Sequence, residues 1–418
     1  MPSEPAHARA SDSVAIVMSG GGARGAYEAG VLSYVLDVLP RRLGRPVRID
    51  IATGASVGAI HACYVAATLG KSGAGERLTK IWRSLSFESV YNLGAVDLFR
   101  IPWRLMGFGG LGDWLPAQSP QAPERMAGLL NTTALETQVL EHIPWKQLRR
   151  NIDTGRIRAL AVAATEIATG RSVVFVDQRG KADPHWTGDP FIVARSARIG
   201  PFHALASASI PLVFPAVRID RTYYCDGGLR LNTPLSPALR LGADRIFVIG
   251  LRYPVTPENE DKRAQRREEG YMSTVYLAGK ILNAFLLDRV EYDVDRLRLF
   301  NAILESGTKV YGDGFLDEIN KPILQRRNAP YRIVRNLFLH PSRDLGELAD
   351  ECLRHQPRSS SLRIWISRSI ARYAARGAFG EADLLSYLFF DRCYADHLIE
   401  LGRRDAENAA DDLLSFFS

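Results

Sequence analysis

The sequence predicts an α/β protein whose sheet is mostly parallel and covered by helices. Two observations carry this. The first 70 residues read strand–turn–helix twice over, and successive units of that kind imply parallel strands joined by crossover helices. Later runs such as Ile246–Ile249 are continuously apolar, as strands buried on both faces are. Hydrophobic residues make up 46% and charged residues 24% of the 418, which excludes a disordered or collagen-like chain.

The elements follow in order. Val14–Met18 is a short buried strand, broken by Ser19-Gly20-Gly21-Gly22. A helical pattern runs from Ala23 to Leu39, with Pro40 and Gly44 expected to end it. Val47–Thr53 reads as the next strand, Gly54-Ala55-Ser56-Val57-Gly58 as its break, and Val57–Leu69 as a helix. Residues 84–130 carry Phe87, Phe99, Trp103, Phe108 and Trp114 among many Gly and Pro, with no clean period. This reads as an insertion, either a lid or a loop-rich excursion packed on the core. Arg158–Thr165 and Ser172–Val176 are strands around a turn at Thr169-Gly170, and Arg245–Gly250 is another strand. Residues 257–270 form a charged connector, and 271–305 a long amphipathic helix. Ile333–Leu339 is one more strand, and the chain is helical from about Ser361 to its end.

Three stretches carry chemistry. Gly20-Gly21-Gly22-Ala23-Arg24-Gly25 lies between a strand and a helix, where glycines bring backbone N–H groups close to an anion. Alone it fits a dinucleotide site with Asp50 as the ribose acid, an oxyanion hole, or a tight turn with no ligand. Gly54-Ala55-Ser56-Val57-Gly58 is GxSxG on a strand-to-helix turn, the context of a nucleophile elbow. Tyr223-Tyr224-Cys225-Asp226-Gly227-Gly228 places a carboxylate before two glycines, which by itself reads equally as a turn. It is flanked by Ala206–Pro215 (ASASIPLVFP) and Asn232-Thr233-Pro234.

In this order the blocks resemble the patatin-like phospholipase family, with GGGxRG, GxSxG, ASxSxPxxFP, DGG and NxP all intact over about residues 14–250. The resemblance implies a three-layer α/β/α patatin-like fold with a helical C-terminal extension. It divides the chain into a tail at 1–12, a patatin-like domain at 13–355 with the 84–130 insertion, and a helical region at 356–418. It also implies a lipid acyl hydrolase of the phospholipase A or lysophospholipase type. Ser56 would be the nucleophile and Asp226 its general base, a dyad without histidine. Gly20–Gly25 would supply the oxyanion hole, with Arg24 fixing the loop or adding positive potential. No cofactor or metal is implied.

Rival readings remain at this level. Ser56, Asp226 and His340 occur in the chain order of an α/β-hydrolase triad. His61 and His203 read as packed or surface residues. Acyl transfer shares the acyl-serine intermediate with hydrolysis, a non-catalytic lipid-binding protein could share the fold, and a nucleotide-binding oxidoreductase would use Gly20–Gly25 alone.

Lys and Arg exceed Asp and Glu by 53 to 46. That balance draws a chain toward anionic lipid surfaces, or reflects an arginine-rich genome. The resemblance implies a lipid substrate, a peripheral membrane surface is the further partner expected, with no nucleic acid, and the oligomeric state is open. Met1–Ser13 lacks an apolar signal core and no run reaches membrane-spanning length, so a cytoplasmic location is expected. Cys63, Cys225, Cys352 and Cys393 show no CxxC spacing, which argues against a disulfide scaffold or a zinc site and suits a reducing compartment.

Overall fold

A computed structural model describes residues 12–90, 133–180, 186, 191–211, 214–254, 290–312, 314–327, 329–355 and 386–418. The tail to residue 11, Phe99 to Trp114 of the insertion, the 257–270 connector, the start of the 271–305 helix and 361–385 lie outside the described residues.

Among the described residues nine strands form one sheet: β1 Val14–Met18, β2 Ile51–Ala55, β3 Ala159–Glu166, β4 Ser172–Gln178, β5 Ile192–Ser196, β6 Val217–Ile219, β7 Thr222–Asp226, β8 Arg245–Ile249 and β9 Arg335–Leu339. The order is β5-β4-β3-β2-β1-β8-β9, with the β6–β7 hairpin joined to β3 through β7. Strands β3, β2, β1, β8 and β9 run parallel, while β4 and β7 pair antiparallel with β3.

The central strands are apolar on both faces because both faces are covered. Val14, Ile16 and Met18 of β1 join one core, and Ala15 and Val17 join another. The first core lies under α1 (Gly25–Ser33), α2 (Val57–Thr68), α3 (Ala74–Ser84), α4 (Thr133–His142), α5 (Trp145–Asp153) and α6 (Pro201–Ser207). The second lies under α7 (Leu235–Arg240) and α8 (Val290–Tyr311), through Leu235, Ala238, Val294 and Leu297. This is the three-layer α/β/α arrangement. Helix α9 (Phe315–Arg327) follows α8, and α10 (Leu345–His355) follows β9.

The described C-terminal helices, α11 (Arg392–Asn408) and α12 (Ala410–Phe417), complete the first layer. Leu398, Leu413, Phe416 and Phe417 enter the same core as α1, and Tyr27 Oη donates to Asp405 across the α1–α11 contact at 3.0 Å.

Three expectations are corrected. Pro40 does not end the first helix. The chain passes through a π-helical turn at Tyr34–Val38, and Pro40 then opens a short segment, Leu39–Leu43, where its missing N–H leaves no bond unmade. The segment stops at Gly44 in the left-handed conformation. Asp50 does not end a strand beside the Gly-rich loop. It precedes β2, and its Oδ2 accepts from Val14 N at the opening of β1, at the opposite end of the sheet from Gly20–Gly25. That removes the ribose acid on which the dinucleotide reading depended. Finally, Cys352 and Cys393 are paired in a disulfide, at a sequence separation of 41 and with Cα atoms 6.1 Å apart. Helix packing brings them together, which no local spacing reveals.

Candidate active site

Register explains why Ser56 and Asp226 meet. Strand β2 runs alongside β3 and its last residue, Ala55, pairs with Ala163. Strand β7 comes from the opposite direction along the same edge, and its last residue, Asp226, pairs with Ala164. The two strand ends abut, so the next residue of one faces the last residue of the other. Ser56 Oγ donates to Asp226 Oδ2 at 2.6 Å.

Ser56 stands on a sharp elbow. Its φ is +53°, uncommon for a residue with a Cβ and a sign of local strain at a functional position. The flanking glycines make the turn possible. A Cβ on Gly54 would lie 2.1 Å from Gly58 O, and one on Gly58 would lie 2.4 Å from Met18 O. The elbow therefore rests directly on the backbone that leads into the Gly-rich loop.

The other motif residues are struts. Ser207 Oγ accepts from Ser56 N at 2.9 Å and donates to Ala163 O at 2.5 Å. Asp226 N donates to Ser209 O, and Thr165 Oγ1 donates to Asp226 O. Asp226 Oδ1 accepts from Gly228 N at 2.7 Å, so each carboxyl oxygen has a donor. Asn232 clamps the loop by accepting from Gly20 N at its carbonyl and donating through Nδ2 to Gly20 O. Ser19 Oγ lies 2.6 Å from Thr233 Oγ1.

Burial sets the electrostatics. Asp226 has no solvent exposure, and desolvation pushes its carboxyl up to about 7 against the pull of the Ser56 and Gly228 donors.

The loop itself is anchored from below by a chain the sequence did not reveal. Ser19 N donates to Glu28 Oε1 at 2.8 Å, and Glu28 Oε2 lies 2.7 Å from His61 Nδ1. Trp82 Nε1 donates to His61 Nε2 at 2.9 Å. An indole only donates, so His61 accepts at Nε2 and carries its proton on Nδ1, toward Glu28. Both Glu28 oxygens are then acceptors, although burial raises its carboxyl pKa. The one available signal was an acid inside an otherwise apolar helix pattern.

The loop residues differ in what they offer. Gly20 N–H, expected at the oxyanion, is spent on Asn232. Gly25 N–H bonds back into its own helical turn. Among the described residues, Gly21 and Gly22 N–H groups meet no protein acceptor. Arg24 ties the loop to the segment before α11. Its Nε donates to Ser386 Oγ at 2.7 Å, and its guanidinium lies 4.0 Å from the centre of the Tyr387 ring. Ala23 is buried in the core beneath.

The other two histidines singled out in the sequence lie elsewhere, while His142 lines the cavity beside Ser56. His340 follows β9, three strands from β2, roughly 14 Å across the sheet. His203 Nδ1 accepts from Gly200 N, and its ring packs edge-on against Phe175. Neither approaches Ser56.

Ser56 opens into an apolar cavity of about 80 Å³ lined by Val57, Ile60, Tyr64, Ile81, Trp82 and Phe214 among others. Among the described residues, the cluster with metal-ligating spacing is Cys352, Cys393 and His397, on α10 and α11.

A family model described as patatin-like phospholipase matches residues 16–239, more than half of the chain. The protein belongs to the patatin-like phospholipase family, a class of lipid acyl hydrolases. Among solved structures, VipD from Legionella pneumophila is similar at 14% identity and a TM-score of 0.33, over 92% of this chain and 67% of that one. At that score the assignment rests on the family model. No curated protein matches. Among the described residues, no helix is long and apolar enough to cross a membrane.

Proposed function

We propose that the protein hydrolyses carboxylic ester bonds of lipids, as a phospholipase A or lysophospholipase, through a Ser56–Asp226 dyad. The observation that carries this is the 2.6 Å Ser56–Asp226 hydrogen bond at the mouth of an apolar cavity.

A carboxylate near pKa 4 is a weak base at neutral pH. Asp226, held at about 7 by burial, is matched to the task. It takes the Ser56 proton as Oγ attacks the ester carbonyl carbon. The oxygen becomes an oxyanion facing Gly21 and Gly22 N–H, and each such donor typically contributes about 3 kcal/mol. Asp226 then protonates the leaving alcohol as the tetrahedral intermediate collapses to acyl-Ser56. In the second half Asp226 deprotonates water, which attacks the acyl ester, and Oγ leaves with the proton. The acyl chain lies along Val57, Ile60 and Tyr64 on α2, facing Trp82. The excess of basic residues favours arrival at anionic lipid surfaces.

The test is hydrolysis of a phospholipid and of a short-chain p-nitrophenyl ester by wild type, Ser56→Ala and Asp226→Ala. Both variants should lose activity while staying folded. Wild type inactive on every ester, with and without vesicles, would overturn the proposal.

A further inference from the structure

The disulfide lies within a few residues of the segment that clamps the Gly-rich loop. Ser386 and Tyr387 hold Arg24, and the Tyr387 carbonyl occupies the place a Cβ on Gly22 would take, 2.2 Å away. Phe390 stacks on Trp82, with ring planes 8° apart, and lines the cavity. Asp391 then caps α11 by accepting from Cys393 N and Tyr394 N. Cys393 follows in the first turn, bonded to Cys352 of α10. Clamp, cavity wall, helix cap and disulfide thus fall within residues 386–393.

The local chemistry suits exchange. Cys393 is partly exposed, whereas Cys352 is 3% exposed. Cys393 sits in the first turn of a 17-residue helix, whose N-terminal N–H groups and dipole favour a thiolate. His397 stands one turn further on the same face. Its Nδ1 donates to Cys393 O at 2.8 Å and lies 3.5 Å from Cys352 Sγ and 3.7 Å from Cys393 Sγ, so either sulfur leaving as thiolate lies beside the imidazole N–H and shares it with that carbonyl. The other two cysteines, Cys63 and Cys225, are buried and free, and burial raises both thiol pKa values.

We propose that Cys393, Cys352 and His397 form a thiol–disulfide exchange site for small thiols and disulfides of the glutathione class, and that its state sets how firmly the Gly-rich loop is held. In reduction, a glutathione thiolate attacks the accessible Cys393 Sγ. The protein S–S bond breaks, and Cys352 leaves as a thiolate that takes up one proton. A second glutathione thiolate attacks the glutathione sulfur of the mixed disulfide, and Cys393 leaves. The net change is protein disulfide plus two thiols to protein dithiol plus glutathione disulfide, and oxidation is the reverse. Reduction removes the covalent tie between the first turn of α11 and α10, leaving the hydrogen bond from Tyr394 Oη to Leu345 O, and the Ser386–Phe390 clamp loosens with it.

The thiol chemistry stands apart from the hydrolase reading, and only the effect on catalysis rests on it. The experiment equilibrates the full chain in glutathione buffers of graded ratio. Free thiols are counted by intact mass after alkylation, hydrogen exchange is followed at residues 19–30, and ester hydrolysis is measured. The expected result is a reversible gain of two thiols. Cys352→Ser should hold one glutathione on Cys393, and His397→Ala should exchange more slowly. In the reduced form residues 19–30 should exchange faster, and kcat should fall several-fold with KM little changed. A pair that never forms the bond, or that glutathione cannot reduce in the folded protein, overturns the site. Unchanged exchange at 19–30 between the two forms overturns the link to the loop. Absence of hydrolysis in both forms, with the exchange difference present, overturns the hydrolase reading and leaves this one standing.

Discussion

Replacing Asp226 by Asn should abolish hydrolysis and at the same time stabilise the protein, by an amount that grows with pH. Asn keeps the shape, accepts from Gly228 N at Oδ1 and meets Ser56 Oγ with Nδ2, but it cannot take a proton or carry charge. The sign follows from linkage. The Asp226 carboxyl lies at about 7 in the fold, against roughly 3.9 in the unfolded chain. The folded state therefore holds a proton that the unfolded state has lost, and wild-type stability falls as pH rises from about 4 to about 7, then levels. Three pKa units correspond to roughly 4 kcal/mol above pH 7, most of it developing between pH 4 and 7. Asn has no such term. Its advantage should widen by about 3 kcal/mol between pH 5 and pH 8. For a chain of this length, unfolding entropy of about 2 cal/mol/K per residue converts that into about 3 °C of melting temperature. Thermal melts of both proteins at the two pH values measure it. A gap that is flat with pH, or an Asn variant less stable than wild type at pH 8, would refute the claim that burial poises this carboxyl near neutrality.

Wild-type kcat/KM should rise with pH and level off above an apparent pKa near 7, since only ionised Asp226 accepts the Ser56 proton; a limb near 4 in a pH–rate profile would contradict this. Glu28→Gln should lower kcat by about 10- to 100-fold, the effect of a lost charge-assisted anchor of 1.5–3 kcal/mol, and steady-state kinetics that leave kcat unchanged would show that Ser19 needs no such anchor. Gly58→Ala should fail to fold or should lose more than about 3 kcal/mol in denaturant unfolding, because its Cβ would meet the Met18 carbonyl at 2.4 Å. His340→Ala should retain wild-type hydrolysis, and its inactivity while folded would restore the triad.

Much of this site was readable before any fold was known, because its parts are local. GxSxG, the Gly-rich loop and Asp-Gly-Gly each need small residues at fixed offsets to make one turn, and such turns leave a short written trace. What the Ser/Pro block and Asn232 do was not readable. Their roles are hydrogen bonds from Ser207 to Ser56 and from Asn232 to Gly20, set by strand register across 151 and 212 residues of chain. The Arg24–Ser386 contact spans 362 residues, and Ser386 sits in no motif. The disulfide was missed for the same reason: Cys352 and Cys393 are on different helices, and only packing makes them neighbours. Asp50 shows the opposite error. Its distance from the glycines suited a ribose acid, but β2 begins after it, so it faces the wrong end of the sheet.

The most direct measurement of the central claim is covalent labelling of the folded protein by a fluorophosphonate, with the modified peptide identified by mass spectrometry. A nucleophilic serine activated by Asp226 predicts one adduct, on Ser56, absent in Ser56→Ala and strongly slowed in Asp226→Asn. An adduct on another serine, or equal labelling of wild type and Asp226→Asn, would contradict the dyad.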